Sequence, residues 1–222
     1  MQEGGASSGA RLFLWVYKAM NKRVGLFGGS FDPIHYGHLA IAEDAHLALG
    51  LERVIFMPAA HQPLKQGQHG AAPEARLAMV RLACAANPAF EVSPLEIERA
   101  GPSYTITTLE TLVAERGELV LLLGADAAAD LPRWRAAERI TALAQLAVIE
   151  RPGQHFDASK LLAALPQLTD RLAVLAGPQI DISSTMLRQR ATTGRSLRYL
   201  TPDPVAEYIQ THQPYGMPTE KA

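Results

Sequence analysis

The densest cluster of chemistry-bearing residues is Gly28-Gly-Ser-Phe-Asp-Pro-Ile-His35-Tyr-Gly-His38. His35 and His38 stand three apart, so they share one face if the segment opens a helix. Two imidazole donors aimed at one spot, beside the free N–H groups of a helix start, suit an oxyanion with charge spread over several oxygens. Gly28 and Gly29 allow backbone conformations closed to other residues and let a ligand approach the main chain, and Gly37 leaves room for something to lie close. A metal reading of His-x-x-His needs further ligands, and the one cysteine, Cys84, lies in an apolar Ala-rich run. The turn does not fit Gly-x-Gly-x-x-Gly, and the sequence contains no Gly-x-x-x-x-Gly-Lys-[Ser/Thr].

A second cluster, Ile182-Ser-Ser-Thr-Met-Leu-Arg188-Gln-Arg190, lies far along the chain. Ser183 or Ser184 suits a helix N-cap, and Ser183, Ser184 and Thr185 put three hydroxyls at the helix start. Arg188 follows about one turn later, where a long cation reaches over the terminus. Hydroxyls, unpaired N–H groups and a guanidinium together form a phosphate clamp. Taken alone, the pattern is better explained by capping and a solvated arginine; paired with the histidine turn it reads as a half-site.

The elements that must hold these clusters follow from alternating short apolar runs and longer amphipathic ones. Arg23–Phe27, Arg53–Met57, Phe90–Val92, Glu118–Leu123, Gln145–Ile149 and Leu172–Leu175 read as strands. Helices are expected over Tyr36–Leu49, with Gly50 as its stop, and over Pro73–Asn87, Thr105–Glu115, Trp134–Thr141, Ser183–Arg190 and Pro204–Gln210. This alternation predicts an α/β fold: a parallel sheet with helices on both faces. Leu119–Leu123 is apolar at every position, as a strand buried on both sides requires. Ligands on such sheets bind beyond the carboxyl ends of the strands, where both clusters' neighbours fall.

Of the 222 residues 48% are hydrophobic and 19% charged, enough for a full core and against disorder. A net charge of -1 gives no global field to recruit nucleic acid, so no nucleic-acid partner is expected. A single cysteine cannot form a disulfide within the chain, which fits the reducing cytoplasm. Residues 1–21 read as a Gly/Ser-rich extension preceding the domain, with Met20 as the natural start. The apolar Leu12–Tyr17 is too short to span a bilayer, and no membrane partner is expected. One domain over 22–214 and a tail over 215–222 complete the organisation. The sequence sets no oligomeric state.

Phe27-Gly-Gly-Ser-Phe31 leading into His35-Tyr-Gly-His38 resembles the T/HxGH signature of the nucleotidylyltransferase superfamily, and Ile182–Arg188 resembles that superfamily's Ile-Ser-Ser-Thr-x-x-Arg motif. Pro102-Ser-Tyr-Thr105, Gly124-Ala-Asp126, Leu131-Pro-Arg-Trp134 and Ile149-Glu-Arg-Pro-Gly153 narrow the resemblance to bacterial nicotinate-nucleotide adenylyltransferases, from about Lys22 to near the C-terminus. The resemblance implies a Rossmann-like fold of the nucleotidylyltransferase type. It implies ATP and nicotinate mononucleotide as substrates, with Mg²⁺ carried mainly on the ATP phosphates rather than by protein ligands. His35, His38 and Arg188 would be catalytic. Gly28, Gly29, Ser30, Phe31, Lys65, Gly124, Asp126, Ser183, Ser184 and Thr185 would bind ATP. Ser103, Tyr104, Thr105, Trp134 and Arg151 would bind the acceptor, Trp134 offering a flat face to a pyridine ring. The loop after the second strand departs from the family's Pro-Pro-His-Lys or Pro-Pro-His-Arg: it reads His61-Gln-Pro-Leu-Lys65, with Leu64 in the histidine's place. His61 or Lys65 would then cover the phosphate contact. Nicotinamide mononucleotide or phosphopantetheine as acceptor, a non-catalytic ATP-binding module, and a fragment related to class I tRNA synthetases are the rival readings. Short length and near-neutral charge argue against the last.

Overall fold

A computed structural model describes residues 23–61, 70–150 and 155–217. The expected extension over 1–21, apart from the strand that follows it, lies outside them. Among the described residues six strands and nine α-helices succeed one another: β1 Val24–Gly29, α1 Tyr36–Leu49, β2 Arg53–Pro58, α2 Pro73–Cys84, β3 Phe90–Val92, α3 Leu95–Arg99, α4 Thr105–Arg116, β4 Leu119–Gly124, α5 Ala125–Asp130, α6 Ala137–Leu143, β5 Ala144–Ile149, α7 Ala158–Ala164, β6 Leu172–Leu175, α8 Ser184–Thr192 and α9 Asp203–His212. All five strand pairings are parallel, in the order β3-β2-β1-β4-β5-β6.

The strands' alternating side chains divide the core in two. On one face Phe27, Phe56, Val120, Leu122 and Ile149 pack with Ala42 and Leu49 of α1, Met79 and Val80 of α2, Leu187 of α8 and Ile209 of α9. On the other, Leu26, Ile55, Leu119, Leu121, Leu123 and Val148 pack with Leu109 of α4, Ile140 of α6 and Leu161 of α7. Both faces of β4 are thus withdrawn from water, which is why its sequence carries no polar alternation.

Chain order reverses between β1 and β4, the switch point where such sheets open a crevice. The ladder shows that opening directly. β1 and β4 pair only through Val24–Leu26 against Leu119–Leu121, yet both strands run three residues further, to Gly29 and Gly124. Their carboxyl halves part beyond the last paired residues.

Two expected helices differ from those observed. The helix expected over Trp134–Thr141 spans Ala137–Leu143; Leu131–Arg133 is a turn of 3₁₀ helix, and Ala136 takes a left-handed backbone (φ 57) that separates the two. The helix expected to Asn87 ends at Cys84, because the Asn87 side chain instead accepts the Ala89 N–H at 2.9 Å and makes a turn. Gly50 ends α1 as expected, in the left-handed region (φ 58), with its N–H on the His46 and Leu47 carbonyls. The expected tail begins at 215, but Tyr215 itself packs against the first core.

Candidate active site

β1 delivers the chain to the crevice, and Phe31 turns it. Gly28 and Gly29 still pair with Met57 and Pro58 as part of β1, so the left-handed residue of the turn is Phe31 (φ 47), not a glycine. A Cβ on Gly28 would meet nothing within 4 Å, leaving its main chain open to a ligand. The Phe31 ring is 1% exposed and sits edge-on to His38 at 5.1 Å, among Phe27 and Phe56. Its side chain therefore props the histidine.

His35 is the N-cap of α1, with extended backbone (φ -151), and its ring stacks on that of His38 with centroids 3.7 Å apart. The His35 N–H donates to His38 Nδ1 at 3.3 Å. That bond requires a lone pair on Nδ1, so the neutral ring carries its proton on Nε2 and presents a donor there. Gly37 makes room for the histidine pair itself: a Cβ would lie 3.1 Å from the His35 ring and 3.8 Å from the Ile182 carbonyl.

The second cluster meets the first here. Ser183 caps α8 by accepting the Met186 N–H, and Ser184 Oγ donates to the Pro33 carbonyl at 2.9 Å. Arg188 Nη1 donates to the Asp32 carbonyl at 2.8 Å and Nη2 to Thr185 Oγ1 at 3.2 Å. Further along, Thr201 Oγ1 donates to the Ile34 carbonyl at 2.8 Å. The starts of α1 and α8, some 150 residues apart in sequence, form two walls of one cradle. The serine and threonine hydroxyls and the Arg188 guanidinium stand on one wall and the imidazoles on the other.

Arg76, which pattern reading overlooked, braces the cradle from beneath. It is wholly buried, and its guanidinium donates to the carbonyls of Ser30 (2.7 Å), Ala60 (3.0 Å) and Ala71 (3.3 Å). Burial lowers its pKa below the ordinary arginine value, and the charge of Asp32 works against that. Its one sequence signal is an arginine among the apolar residues Leu77, Met79 and Val80 of α2.

The segment before α4 adjoins through Ala60. Ser103 Oγ accepts the Ala60 N–H at 2.9 Å, the Ser103 N–H donates to the His61 carbonyl at 2.8 Å, and His61 bridges Pro102. The Ser103 hydroxyl also bonds to Glu96, whose carboxylate accepts from Thr108 Oγ1 at 2.6 Å; burial holds Glu96 above the ordinary glutamate value. Ser103 thus fastens two loops together. Thr105 opens α4 behind Tyr104, and the Arg135 guanidinium lies 4.7 Å from the Tyr104 ring centroid. Trp134 packs on the second core, and its indole N–H is buried with no acceptor among the described residues. Gly124 and Asp126 stand where β4 passes into α5, Gly124 open on its Cβ side and Asp126 exposed. Lys65, Leu64 and Arg151 lie outside the described residues.

Residues 26–190 match the model of the cytidylyltransferase-like family. Over 193 residues the chain is 57% identical to a probable nicotinate-nucleotide adenylyltransferase of Roseiflexus sp. (strain RS-1), covering 86% of this chain and 97% of that protein. The chain belongs to the nicotinate-nucleotide adenylyltransferase family. A second relative, the probable nicotinate-nucleotide adenylyltransferase of Herpetosiphon aurantiacus, is 50% identical over 87% of this chain and 98% of its own length. Among solved structures, Plasmodium falciparum nicotinic acid mononucleotide adenylyltransferase complexed with NaAD superposes with a TM-score of 0.71 at 18% identity, over 88% of this chain and 98% of that one. That likeness shows the fold. As a nucleotidyltransferase of this family, the enzyme places the matched signatures on the two walls of the cradle just described.

Among the described residues no helix is long and apolar enough to cross a membrane. None of them form a group of three or more His, Cys, Asp and Glu side chains able to hold a metal ion.

Proposed function

We propose that this adenylyltransferase moves the AMP of ATP onto the phosphate of nicotinate mononucleotide, giving nicotinate adenine dinucleotide and pyrophosphate. The observation that carries this reading is the joining of the histidine turn to the start of α8, through Ser184 to Pro33 and Arg188 to Asp32. The acceptor phosphate is already an anion at neutral pH, so no general base is needed. Its oxygen attacks the α-phosphorus in line, and the chain supplies position and charge.

In this reading His38, through Nε2–H, and His35 stabilise the oxygens around the α-phosphorus as charge develops. The main chain at Gly28–Phe31 lies along the triphosphate. Ser183, Ser184, Thr185 and Arg188 hold the leaving pyrophosphate, with Lys65 closing from the loop after β2. Gly124 and Asp126 face the nucleotide's ribose. Tyr104, Thr105, Trp134 and Arg151 enclose the acceptor, with Ser103 holding that segment to the His61 loop. Donors around the pyridine carboxylate favour acid over amide, since a carboxylate accepts only and an amide also donates. Mg²⁺ carried on the ATP phosphates would supply charge neutralisation there, with Arg188 and the hydroxyls of Ser183, Ser184 and Thr185 beside them. The buried thiol of Cys84 accords with the cytoplasm as the working compartment.

Pyrophosphate release by the purified chain, measured with nicotinate mononucleotide, nicotinamide mononucleotide and phosphopantetheine in turn, tests the reading. Release with nicotinate mononucleotide at the highest kcat/KM is expected. Preference for another acceptor overturns the acceptor assignment, and ATP binding without release under any acceptor overturns the enzyme's proposed reaction.

A further inference from the structure

Asp32 is the meeting point of four segments distant in sequence. Its side chain is 2% exposed. Oδ2 accepts the Gly70 N–H at 2.7 Å, and Oδ1 accepts the Ala71 N–H at 3.2 Å and the Tyr215 hydroxyl at 3.0 Å. Arg188 Nη1 stops 3.9 Å short of Oδ2 and bonds the Asp32 main-chain carbonyl instead. Arg76 faces the carboxylate too, but its guanidinium is committed to three carbonyls. Tyr215 belongs to the turn after α9 and lies outside every motif of the chain. Gly70 is clamped between it and Arg188: a Cβ there would lie 2.8 Å from the Tyr215 ring and 2.9 Å from Arg188 Cδ. Ring, glycine and arginine stem form one stack without spare room.

We propose that Tyr215 is a positioning residue for Arg188, keeping the guanidinium hydrogen-bonded to the Asp32 carbonyl and out of hydrogen-bond reach of the Asp32 carboxylate, poised for the nucleotide's phosphates. The inference rests on the reading of Arg188 as a phosphate ligand. An ionised carboxylate offers about four acceptor sites, and a buried one must fill them. The Tyr215 hydroxyl and the two loop amides fill three of them, and Arg188 Nη1 at 3.9 Å faces the carboxylate as a longer ionic contact. Without the hydroxyl, Asp32 completes its shell with the nearest mobile cation, Arg188, and competes with phosphate for it. Burial and the Asp32 charge push the Tyr215 hydroxyl above the ordinary tyrosine value, so at neutral pH it is protonated and donates. The ring adds a second restraint by confining the arginine stem, which removes rotamer freedom before the ligand arrives.

The test is a cycle of four full-length proteins: wild type, Tyr215→Phe, Arg188→Gln and the double variant, each titrated with Mg·ATP by calorimetry and assayed for pyrophosphate release. Tyr215→Phe keeps the ring and removes one hydrogen bond to a charged group, so ATP affinity should fall about tenfold. KM for the acceptor should stay within about twofold, and in the Arg188→Gln background the same change should have no further effect on ATP affinity. Equal losses in both backgrounds, or none in either, overturn the proposal. Should Tyr215→Phe not fold by circular dichroism, Gly70→Ala crowds the same stack with the hydroxyl intact and must show the same dependence on Arg188. Wild type that binds ATP but does not turn over nicotinate mononucleotide overturns the acceptor reading alone, and the four titrations still decide the role of Tyr215. Arg188→Gln that binds ATP like the wild type overturns the phosphate role of Arg188 and this inference with it.

Discussion

His38→Asn separates what His38 does for the fold from what it does for the reaction. The ring has two nitrogens with two roles. Nδ1 accepts the His35 N–H at 3.3 Å and closes the first turn of α1. Nε2–H is the donor assigned to the transition state. An asparagine oxygen stands near the Nδ1 position and preserves the first role, while nothing in asparagine reaches the second. Losing a capping bond costs about 0.5–2 kcal/mol of stability; losing one preorganised oxyanion donor costs about 2.7–4 kcal/mol of activation free energy, or about 10²–10³ in kcat. His38→Ala gives up both, and also the edge contact with Phe31 at 5.1 Å. His38→Asn should therefore lower kcat by about 10²-fold or more with KM for ATP little changed, because the lost interaction strengthens only in the transition state. Its urea midpoint should lie close to that of the wild type and above that of His38→Ala. Steady-state pyrophosphate release and paired denaturation curves read both quantities. A His38→Asn enzyme within about tenfold of wild-type kcat would falsify the assignment.

Three further outcomes follow from the same geometry. Arg76→Leu strands three buried carbonyls and removes one of the two cations facing Asp32, so stability should fall by about 3–5 kcal/mol in urea denaturation; a loss under about 1 kcal/mol would show the buried bonds to be dispensable. The folded chain holds the Glu96 proton to higher pH than the unfolded chain does, so this carboxyl's contribution to stability falls as pH rises through its raised value. Glu96→Gln has no such proton and should gain on the wild type as pH rises above the ordinary glutamate value of about 4.3; an unchanging gap in urea midpoints refutes this. Burial pushes the Cys84 thiol up to about 12, so iodoacetamide should label it only in denaturant, and rapid labelling of the native chain would contradict its place in the first core.

Where one element's own residues decide its conformation, the sequence was readable. The unbroken apolar run in β4, the glycine at 50 and the proline at 73 each act locally, and strand, stop and start fall where those residues require. The two candidate clusters were readable for the same reason: each is contiguous and sits at a helix start. The short helices α3, α5 and α7 left no trace, because five to seven residues give too little periodicity to see. Trp134 was placed inside a helix because nothing in Arg135-Ala136 announces a left-handed alanine. Asp32 lay in view within the turn, but its partners at 70, 71, 188 and 215 follow no spacing. Arg76 was hidden similarly: its three carbonyl partners are spread over two loops, one after β1 and the two ends of the one after β2, and only the assembled fold brings them to one guanidinium.

The bond between Tyr215 and Asp32 joins residues 183 apart. On a ribosome the histidine turn leaves the exit tunnel first, and its aspartate then waits for a hydroxyl that emerges nearly last. At about 5–20 residues per second the delay is about 10–40 s. Throughout it the nascent sheet can form strand by strand while the cradle stays unfinished. A premature stop a few codons before 215 would leave both signature motifs intact and still deny Asp32 its last donor.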